Sequence, residues 1–481
     1  MIGNLKNSLK IVVLFLLDIS AFYASLLLAF SLRKIVDDLF PHVMPLQLSL
    51  GYFLRIWWLP AIFLSFIAYE RLYIKKLPFW DETKELLKAI TVSTVAILAI
   101  ITLGKMASNI SRLTIIFLWC SSLFIFPIFR LFGKKLLDSV GLWKDNVIII
   151  GAGAAGIETA KGINSDIHLG YRVIGFLDDD PAYGKEVRID GTVYRIFGKV
   201  KHFKKFLTIL RISTVIIAIP SLSVDKLAEL TNNIQKHTKN ILLVPDVKGV
   251  ALTNTELYHL FMQQLFLLKI NNNLKSPFNR FNKRTFDMFL SILMLPLLLF
   301  VIGILGLLIK LDSPGPVFYR HSRIGRNGRS FGVFKFRSMH VDSKERLDKI
   351  LGTDPLSKQE WESYYKLKND PRITRMGKFL RRTSLDELPQ IFNVLQGKMS
   401  LVGPRPVLKE EITKYYKEFA DYYHLVRPGI TGLWQVSGRN DVNYDMRVRL
   451  DAWYVLNWSV WLDIVILFKT FNVVMKKEGA Y

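Results

Sequence analysis

The feature that most restricts how this chain can fold is its apolar blocks, long stretches almost without charge. Four precede residue 135, at 11–32, 44–69, 89–104 and 113–129, and only Asp18 and Arg55 interrupt them. A helix crossing the hydrocarbon core needs about 20 mainly apolar residues, so residues 1–135 are expected to form four transmembrane helices. The cations between the blocks are uneven. Lys6 and Lys10 precede the first block, and Arg71, Lys75, Lys76, Lys84 and Lys88 lie between the second and third. Arg130, Lys134 and Lys135 follow the fourth, whereas the other two loops hold only Arg33 with Lys34 and Lys105 with Arg112. Cytoplasmic loops accumulate Lys and Arg, which puts the N-terminus and the region past residue 130 on the cytoplasmic face. Asp18 and Arg55 are costly in lipid and are expected to face the bundle or snorkel to an interface. The first block lacks the short core and cleavage site of a removed signal, so it reads as a retained anchor.

A formal net charge of +25 over 481 residues asks for an anionic partner. Nucleic acid fits worst, because the basic residues flank apolar blocks instead of interleaving with aromatics on a soluble domain. The anionic membrane leaflet and phosphorylated substrates remain. Cys120 is the single cysteine, which excludes a disulfide framework and a metal site of cysteine type.

From 146 to 271 the composition turns soluble. A β-branched run at 147–150 leads into Gly151-Ala152-Gly153-Ala154-Ala155-Gly156 and a helix. Further strands are expected at 171–177, ending in Asp178-Asp179-Asp180, at 214–219 and at 241–244. The alternation predicts a small parallel α/β unit of Rossmann type. Gly151, Gly153 and Gly156 could cradle a dinucleotide at a helix N-terminus, with Asp178 reaching a ribose. The alternative is a structural or dimer-supporting module whose site is unused or regulatory, because the region is too short for both mononucleotide halves.

A fifth block, 288–309, holds 22 uncharged residues. As a helix it is about 33 Å long, just enough to cross a bilayer. Its flanks argue otherwise: Lys275, Arg280, Lys283 and Arg284 stand before it, and Lys310, Arg320, Arg323, Arg326 and Arg329 after it. Both ends carry the cytoplasmic bias, which a spanning helix cannot satisfy. Pro296 favours a bend, and Ser291 can re-satisfy freed backbone groups. The expectation is a bent, re-entrant helix at 286–309; a spanning helix kinked at proline is the alternative.

Downstream, Thr383-Ser384-Leu385-Asp386-Glu387-Leu388-Pro389-Gln390 contains two adjacent carboxylates. Capping is the plain account, since Ser384-x-x-Glu387 is a capping-box pattern and acids suit a first helical turn. The surroundings favour chemistry. No acid occurs between Asp312 and Asp342, whereas Arg320, Arg323, Arg326, Arg329, Lys335 and Arg337 do. Lys368, Arg372, Arg375, Lys378, Arg381 and Arg382 then lead up to the pair, and Pro404-Arg405-Pro406 sets an arginine between two rigid residues. Such an excess of cations around two acids suits a substrate more negative than the acids can balance, and arginine is the preferred bidentate partner of phosphate.

Several motifs occur together and in order. They are Lys283-Arg284-x-x-Asp287, Pro314-Gly315-Pro316-Val317-Phe318-Tyr319-Arg320, Lys335-Phe336-Arg337-Ser338-Met339, Asp370-Pro371-Arg372, the 383–390 stretch, Ser400-Leu401-Val402-Gly403-Pro404-Arg405-Pro406 and Pro428-Gly429-Ile430-Thr431-Gly432, followed by Gly438-Arg439. In these the chain resembles the bacterial sugar transferase family, monotopic polyprenyl-phosphate hexose-1-phosphate transferases. With its N-terminal helices and α/β unit it is most similar to the large members, the undecaprenyl-phosphate galactose phosphotransferases. The resemblance implies a multi-domain membrane protein: a four-helix bundle at 1–135, a Rossmann-like α/β domain at 146–271, and a mainly α catalytic domain at 280–481 with the re-entrant helix. It implies transfer of hexose-1-phosphate from a UDP-hexose to undecaprenyl phosphate at the bacterial inner membrane, on its cytoplasmic face, as the first step of surface-polysaccharide assembly. In the same terms Asp386 is the nucleophile, Glu387 with Asp386 holds Mg²⁺, and Arg381 contacts phosphate. Arg405 belongs to the nucleotide end, with Lys335, Arg337, Arg372, Arg382 and Arg439 as further substrate cations. Lys283, Arg284, Asp287, Ser291 and Pro296 orient the membrane helix, and a homodimer is expected.

Two other readings compete. A membrane-anchored nucleotide-sugar dehydratase or epimerase would need a Tyr-x-x-x-Lys pair in the α/β domain, and none occurs between 146 and 271. A non-catalytic scaffold of glycan assembly leaves the acid–arginine constellation unexplained.

Overall fold

The first apolar block becomes one long helix, α1 (Ile2–Leu39). The second is interrupted within its described part. It yields α2 (Leu50–Arg55) and α3 (Trp58–Tyr69), with Ile56 outside helical geometry between them. Pro60 explains the break, because its ring clashes with the carbonyl four residues earlier, that of Ile56. Within α3 it occupies the first turn, where a missing N–H leaves nothing unpaired. α4 (Phe79–Leu103) and α5 (Arg112–Ser139) follow and, like α1, are long and apolar enough to cross a membrane. This computed structural model describes residues 2–40, 49–105, 110–210, 212–246, 255–260, 265–270, 273–354, 359, 370–438 and 442–476. The chain divides into two compact units, Met1–Val247 and Lys248–Tyr481.

In the first unit the helices pack around Phe22, Phe63, Ile90, Leu118 and Phe126, all fully buried. Asp18 faces this interior. Arg130 grips it through Nε at 2.9 Å and Nη2 at 2.5 Å, while Lys134 donates to Glu82 at 2.5 Å. Arg55 lies on the exposed surface.

A six-stranded sheet follows, built from β1 (Asp145–Ile150), β2 (Tyr171–Leu177), β3 (Glu186–Ile189), β4 (Thr192–Gly198), β5 (Thr214–Ile217) and β6 (Asn240–Leu243) in the order β3-β4-β2-β1-β5-β6. All neighbours are parallel except the edge strand β3, which pairs antiparallel with β4. Helix α6 (Ala154–Ser165) leaves the glycine-rich turn after β1, and α7 (Phe203–Ile209) and α8 (Val224–Gln235) make later crossovers. The four expected strands are present. The β3–β4 hairpin is an addition, closed by Asp190-Gly191 with both φ positive (47° and 80°), the geometry of a tight twisted turn. Membrane helices and sheet form one unit because polar contacts tie them. Lys10 and Lys76 both reach Asp145, the Phe79 N–H donates to Asp166, and Trp143 Nε1 donates to the Ile167 carbonyl.

The second unit is arranged around α9 (Pro277–Asp312), 36 residues that continue through Pro296 without interruption. Its N-terminal half is pinned to the unit: Lys283 donates to Asp463 at 2.7 Å, Arg284 to the Val394 carbonyl at 2.7 Å, and Asp287 accepts from Ser400 Oγ at 2.7 Å. Its C-terminal half is pinned to the same unit, with Ile302, Leu305 and Ile309 in the core and Asp312 accepting from the Met376 N–H. The opposite face, Phe289, Leu293, Leu297, Phe300 and Leu307, is apolar and exposed. Ser291 Oγ is buried without a hydrogen-bond partner among the described residues, so the expected repair of backbone groups around Pro296 is not what it does.

After two short strands, β7 (Thr255–Leu260) and β8 (Leu265–Ile270), the remaining scaffold is small. It comprises the antiparallel pair β9 (Phe318–Ile324) and β10 (Ser330–Phe336), helices α10 (Ser343–Thr353), α11 (Arg375–Thr383) and α12 (Gln390–Leu395), and the parallel pair β11 (Ser400–Val402) and β12 (Gly429–Thr431). Late helices close it, among them α13 (Tyr444–Leu456) and α14 (Val460–Lys476). Leu380, Val394, Met399, Val402 and Tyr454 make its core.

Candidate active site

The two acids do not cap a helix. α11 is capped at its own start by Thr374, whose Oγ1 accepts from the Gly377 N–H at 2.9 Å. Gly377 is required there because a Cβ would run into the Ser338 carbonyl, and this close approach brings the first turn of α11 against 338. The helix ends at Ser384 in the left-handed region (φ 55°), and a single tight turn, 385–387, carries Asp386 and Glu387. Ser384 makes no side-chain cap bond there, and Glu387 turns away from it toward the sheet.

The sheet supplies the cations by its alternation. Residues two apart on a strand share a face, and the register pairs Tyr319 with Lys335, His321 with Val333 and Arg323 with Phe331. Tyr319, His321, Arg323, Val333 and Lys335 therefore line one side. Asn393, fully buried, locks α12 to β10 by accepting from the Phe334 N–H (2.9 Å) and donating to the Gly332 carbonyl (2.8 Å). That clamp holds the acid turn beside Lys335. Lys335 Nζ donates to Glu387 Oε1 at 2.7 Å and stands 3.8 Å from Asp386 Oδ2; Arg405 Nη2 donates to the same Glu387 oxygen at 3.2 Å. A cleft is lined by His321, Arg323, Val333, Lys335, Glu387, Gln390, Arg405, Pro406 and Ile430.

The electrostatics separate the two acids. Burial pushes Glu387 up, but Arg405 and Lys335 overcome it and hold the carboxyl down at about 2. Burial pushes Asp386 up as well, and neighbouring Glu387 adds to it while Lys335, Arg381 and Arg405 oppose; the net direction is upward. One carboxylate is thus held toward its anion, and the other is left the more basic of the two. His321, next to Arg323 Nη1 at 3.0 Å, is pushed down by burial and then by Arg323 and Lys335, which keeps its ring neutral at physiological pH.

The remaining expected site residues divide. Arg381 stands on the last turn of α11, its Nε donating to Ser338 Oγ at 3.0 Å and its charge acting on Asp386. Arg372 holds Asp370 through two nitrogens, and its charge acts on Arg381. Arg382 is on the same turn as Arg381. Arg337 is elsewhere: strand alternation stops at Phe336, and its buried guanidinium donates to the carbonyls of Pro314 and Ser313 (2.6 Å each), fastening the end of α9. Arg439 lies outside the described residues. Lys283, Arg284 and Asp287 anchor α9, as described. Sequence reasoning missed His321 and Gln390 as cleft residues; the alternation Tyr319-x-His321-x-Arg323 was the available signal for the first.

In the other unit, Gly151 adopts φ +103° and Gly156 packs where a Cβ would strike the Gly151 carbonyl. Asp178 does reach this turn, but as a partner of the protein itself, accepting from the Ala152 N–H at 2.6 Å and the Asp180 N–H at 2.8 Å. Gly153 begins α6 beneath the Tyr183 hydroxyl.

A family model described as bacterial sugar transferase matches residues 278–477, and one described as CoA-binding domain matches 75–245. The undecaprenyl-phosphate galactose phosphotransferase of Salmonella typhimurium is 41% identical over 418 residues, covering 85% of this chain and 84% of that protein. The UDP-galactose-lipid carrier transferase of Erwinia amylovora is 41% identical, with coverage of 85% and 84%. The UDP-glucose:undecaprenyl-phosphate glucose-1-phosphate transferase of Escherichia coli is 33% identical, with coverage of 73% and 72%.

Proposed function

The chain belongs to the bacterial sugar transferase family, and from that premise we propose that it transfers hexose-1-phosphate from a UDP-hexose to undecaprenyl phosphate, the first step of surface-polysaccharide assembly. The observation that carries the reading is the acid turn facing Lys335 and Arg405, with Glu387 held ionised and Asp386 left the more basic of the two. Asp386 attacks the phosphorus that bears the sugar; the phosphoanhydride bond breaks and UMP departs with the bridging oxygen. Undecaprenyl phosphate then attacks the same phosphorus, forming a new phosphoanhydride and freeing the Asp386 carboxylate. Lys335, Arg405 and Arg381 offset the charge that develops on the departing phosphate, with Arg372 and Arg382 behind them.

The donor set suits Mg²⁺. That ion favours one or two carboxylates completed by substrate phosphates over an all-protein cage, and no cluster of three metal-binding side chains occurs among the described residues. Asp386 and Glu387 would hold it, and both cations on Glu387 engage Oε1, leaving Oε2 for an ion. Bound there it would lower the barrier by neutralising phosphate oxygens.

Helix α9 is read as re-entrant at the cytoplasmic face of the bacterial inner membrane. The support is that both halves are fastened to one compact unit while the outward face stays apolar. In the α/β unit, the order of its five parallel strands supports a Rossmann-like module, and the Asp178 bond to the glycine turn favours a structural use over a dinucleotide site. The working form is read as a homodimer, to be checked by its mass in detergent.

With radiolabelled UDP-hexose, Asp386→Asn is expected to release no UMP and to carry no label on the protein. Normal labelling of that variant would put the nucleophile elsewhere. Comparing UDP-galactose with UDP-glucose identifies the hexose, and chelation followed by Mg²⁺ restoration tests the metal. Engineered cysteines beside Arg284 and Lys310 should be labelled from the same side; opposite-side labelling would make α9 a spanning helix.

A further inference from the structure

A second cationic pocket lies in the C-terminal unit and shares no lining residue with the acid cleft. It is bordered by Arg280 and Lys283 on α9, by Arg326 in the turn after β9, and by Arg427 just before β12, with Asp287 the single acid. That acid is already committed. It accepts from Ser400 Oγ and from the Leu401 N–H, and Lys283 is 3.8 Å from it. Lys283 is likewise committed, to Asp463 at 2.7 Å. The arginines are left in excess: Arg427 is pushed down by burial and then by Arg284 and Arg326, both close enough to act on its charge. Arg326 Nε is buried without a hydrogen-bond partner among the described residues. Guanidinium groups gathered in this way repel one another unless an anion joins them.

The anion's chemistry can be narrowed. Phe278 and Phe281, on the same stretch of α9 as Arg280, are 69% and 67% exposed, and Leu425 beside the pocket is 40% exposed. Leu274, Leu425 and Val426 line the recess beside its cations, and the two exposed phenylalanines lie on the other side of α9. Cations in a recess with aliphatic lining, on a helix with an exposed apolar face, match a phosphate that carries acyl chains. We propose that this pocket binds the headgroup phosphate of an anionic bilayer phospholipid, securing the N-terminal half of α9 at the membrane boundary. Undecaprenyl phosphate is a poorer occupant, because its phosphate has to reach the cleft that holds Asp386.

The test uses the full-length protein in detergent, titrated separately with phosphatidylglycerol, phosphatidylcholine and undecaprenyl phosphate and read by native mass spectrometry. One retained phosphatidylglycerol is expected, favoured over phosphatidylcholine. The Arg280→Gln/Arg326→Gln variant should lose that retention by about tenfold or more, since each basic residue near a membrane adds about a factor of five. Phosphatidylcholine retention should stay constant. Among the described residues neither side chain has a hydrogen bond or ion pair to the protein; Arg326→Gln alone is the fallback, with a loss of about fivefold. Equal retention of phosphatidylglycerol by wild type and variant would overturn the proposal. So would displacement of it by stoichiometric undecaprenyl phosphate, which would make the pocket an acceptor seat.

Discussion

In the N-terminal unit, Asp18 and Glu82 meet Arg130 and Lys134; in the C-terminal unit, Asp386 and Glu387 meet Lys335 and Arg405. Composition is the same in both clusters, two acids against two cations. Closure is not. The first group is sealed, with every side chain 5% exposed or less, and Arg130 takes both oxygens of Asp18 while Lys134 takes the second oxygen of Glu82. The second group is open, its side chains 16–41% exposed, and the hydrogen bonds of both cations fall on one oxygen of one acid, with Asp386 3.8 Å from Lys335. A sealed, balanced quartet among apolar helices fixes how those helices pack. An open one with more arginine behind it leaves valence for a ligand. Counting charges in a sequence does not separate these cases; the geometry of their partners does.

The largest effect that can test this contrast is at Asp386. Replacing it with Asn should lower UMP release by roughly four orders of magnitude or more while thermal stability holds or rises, because a desolvated acid has been removed. A large stability loss with modest activity loss would make the open cluster a structural one. The mirror experiment is Arg130→Met. Leaving Asp18 buried without its partner should destabilise the protein by about 3–5 kcal/mol, measured by unfolding in detergent, with UMP release per folded molecule little changed. Adding Asp18→Leu should restore much of that stability, since an apolar pair of similar volume needs no desolvation.

Much of the plan was legible because apolar length and cation bias are one-dimensional signals. α1, α4 and α5 could be read that way, as could the strands β1, β2, β5 and β6. Within the block at 44–69 the break was not legible, because its composition is uniform while a single proline, Pro60, decides where the described helix is interrupted. The β3–β4 hairpin was signalled by Asp190-Gly191 and by the alternation Glu186-Val187-Arg188-Ile189, but four residues are too short a run to stand out. At the site, the acid pair and Arg405 were legible from local crowding of charge. His321 was not, since its place depends on the pairing of β9 with β10, and Arg337 was placed with the substrate although it falls past the strand's end and serves the turn at Ser313. Asn393, the clamp that sets the distance from Lys335 to Glu387, reads as an ordinary helix residue until its partners are seen.

The smallest effect, and the finest probe of openness, is in the pH dependence. Asp386 has to be ionised to attack, and burial raises it, so kcat/KM should fall on acidification at a higher pH than an ordinary carboxylate would give. Glu387, at about 2, stays ionised throughout that range, so the acid limb should follow a single proton. Arg405→Gln removes a cation that favours the charged form of both acids. The acid limb should therefore move to higher pH, alongside a loss of kcat/KM at neutral pH of about tenfold to a hundredfold for one charge-assisted contact. Lys134→Gln, made in the sealed cluster, should leave the limb where it was. If Arg405→Gln lowers activity without moving the limb, Arg405 acts on the nucleotide alone and the two acids owe their separation to Lys335.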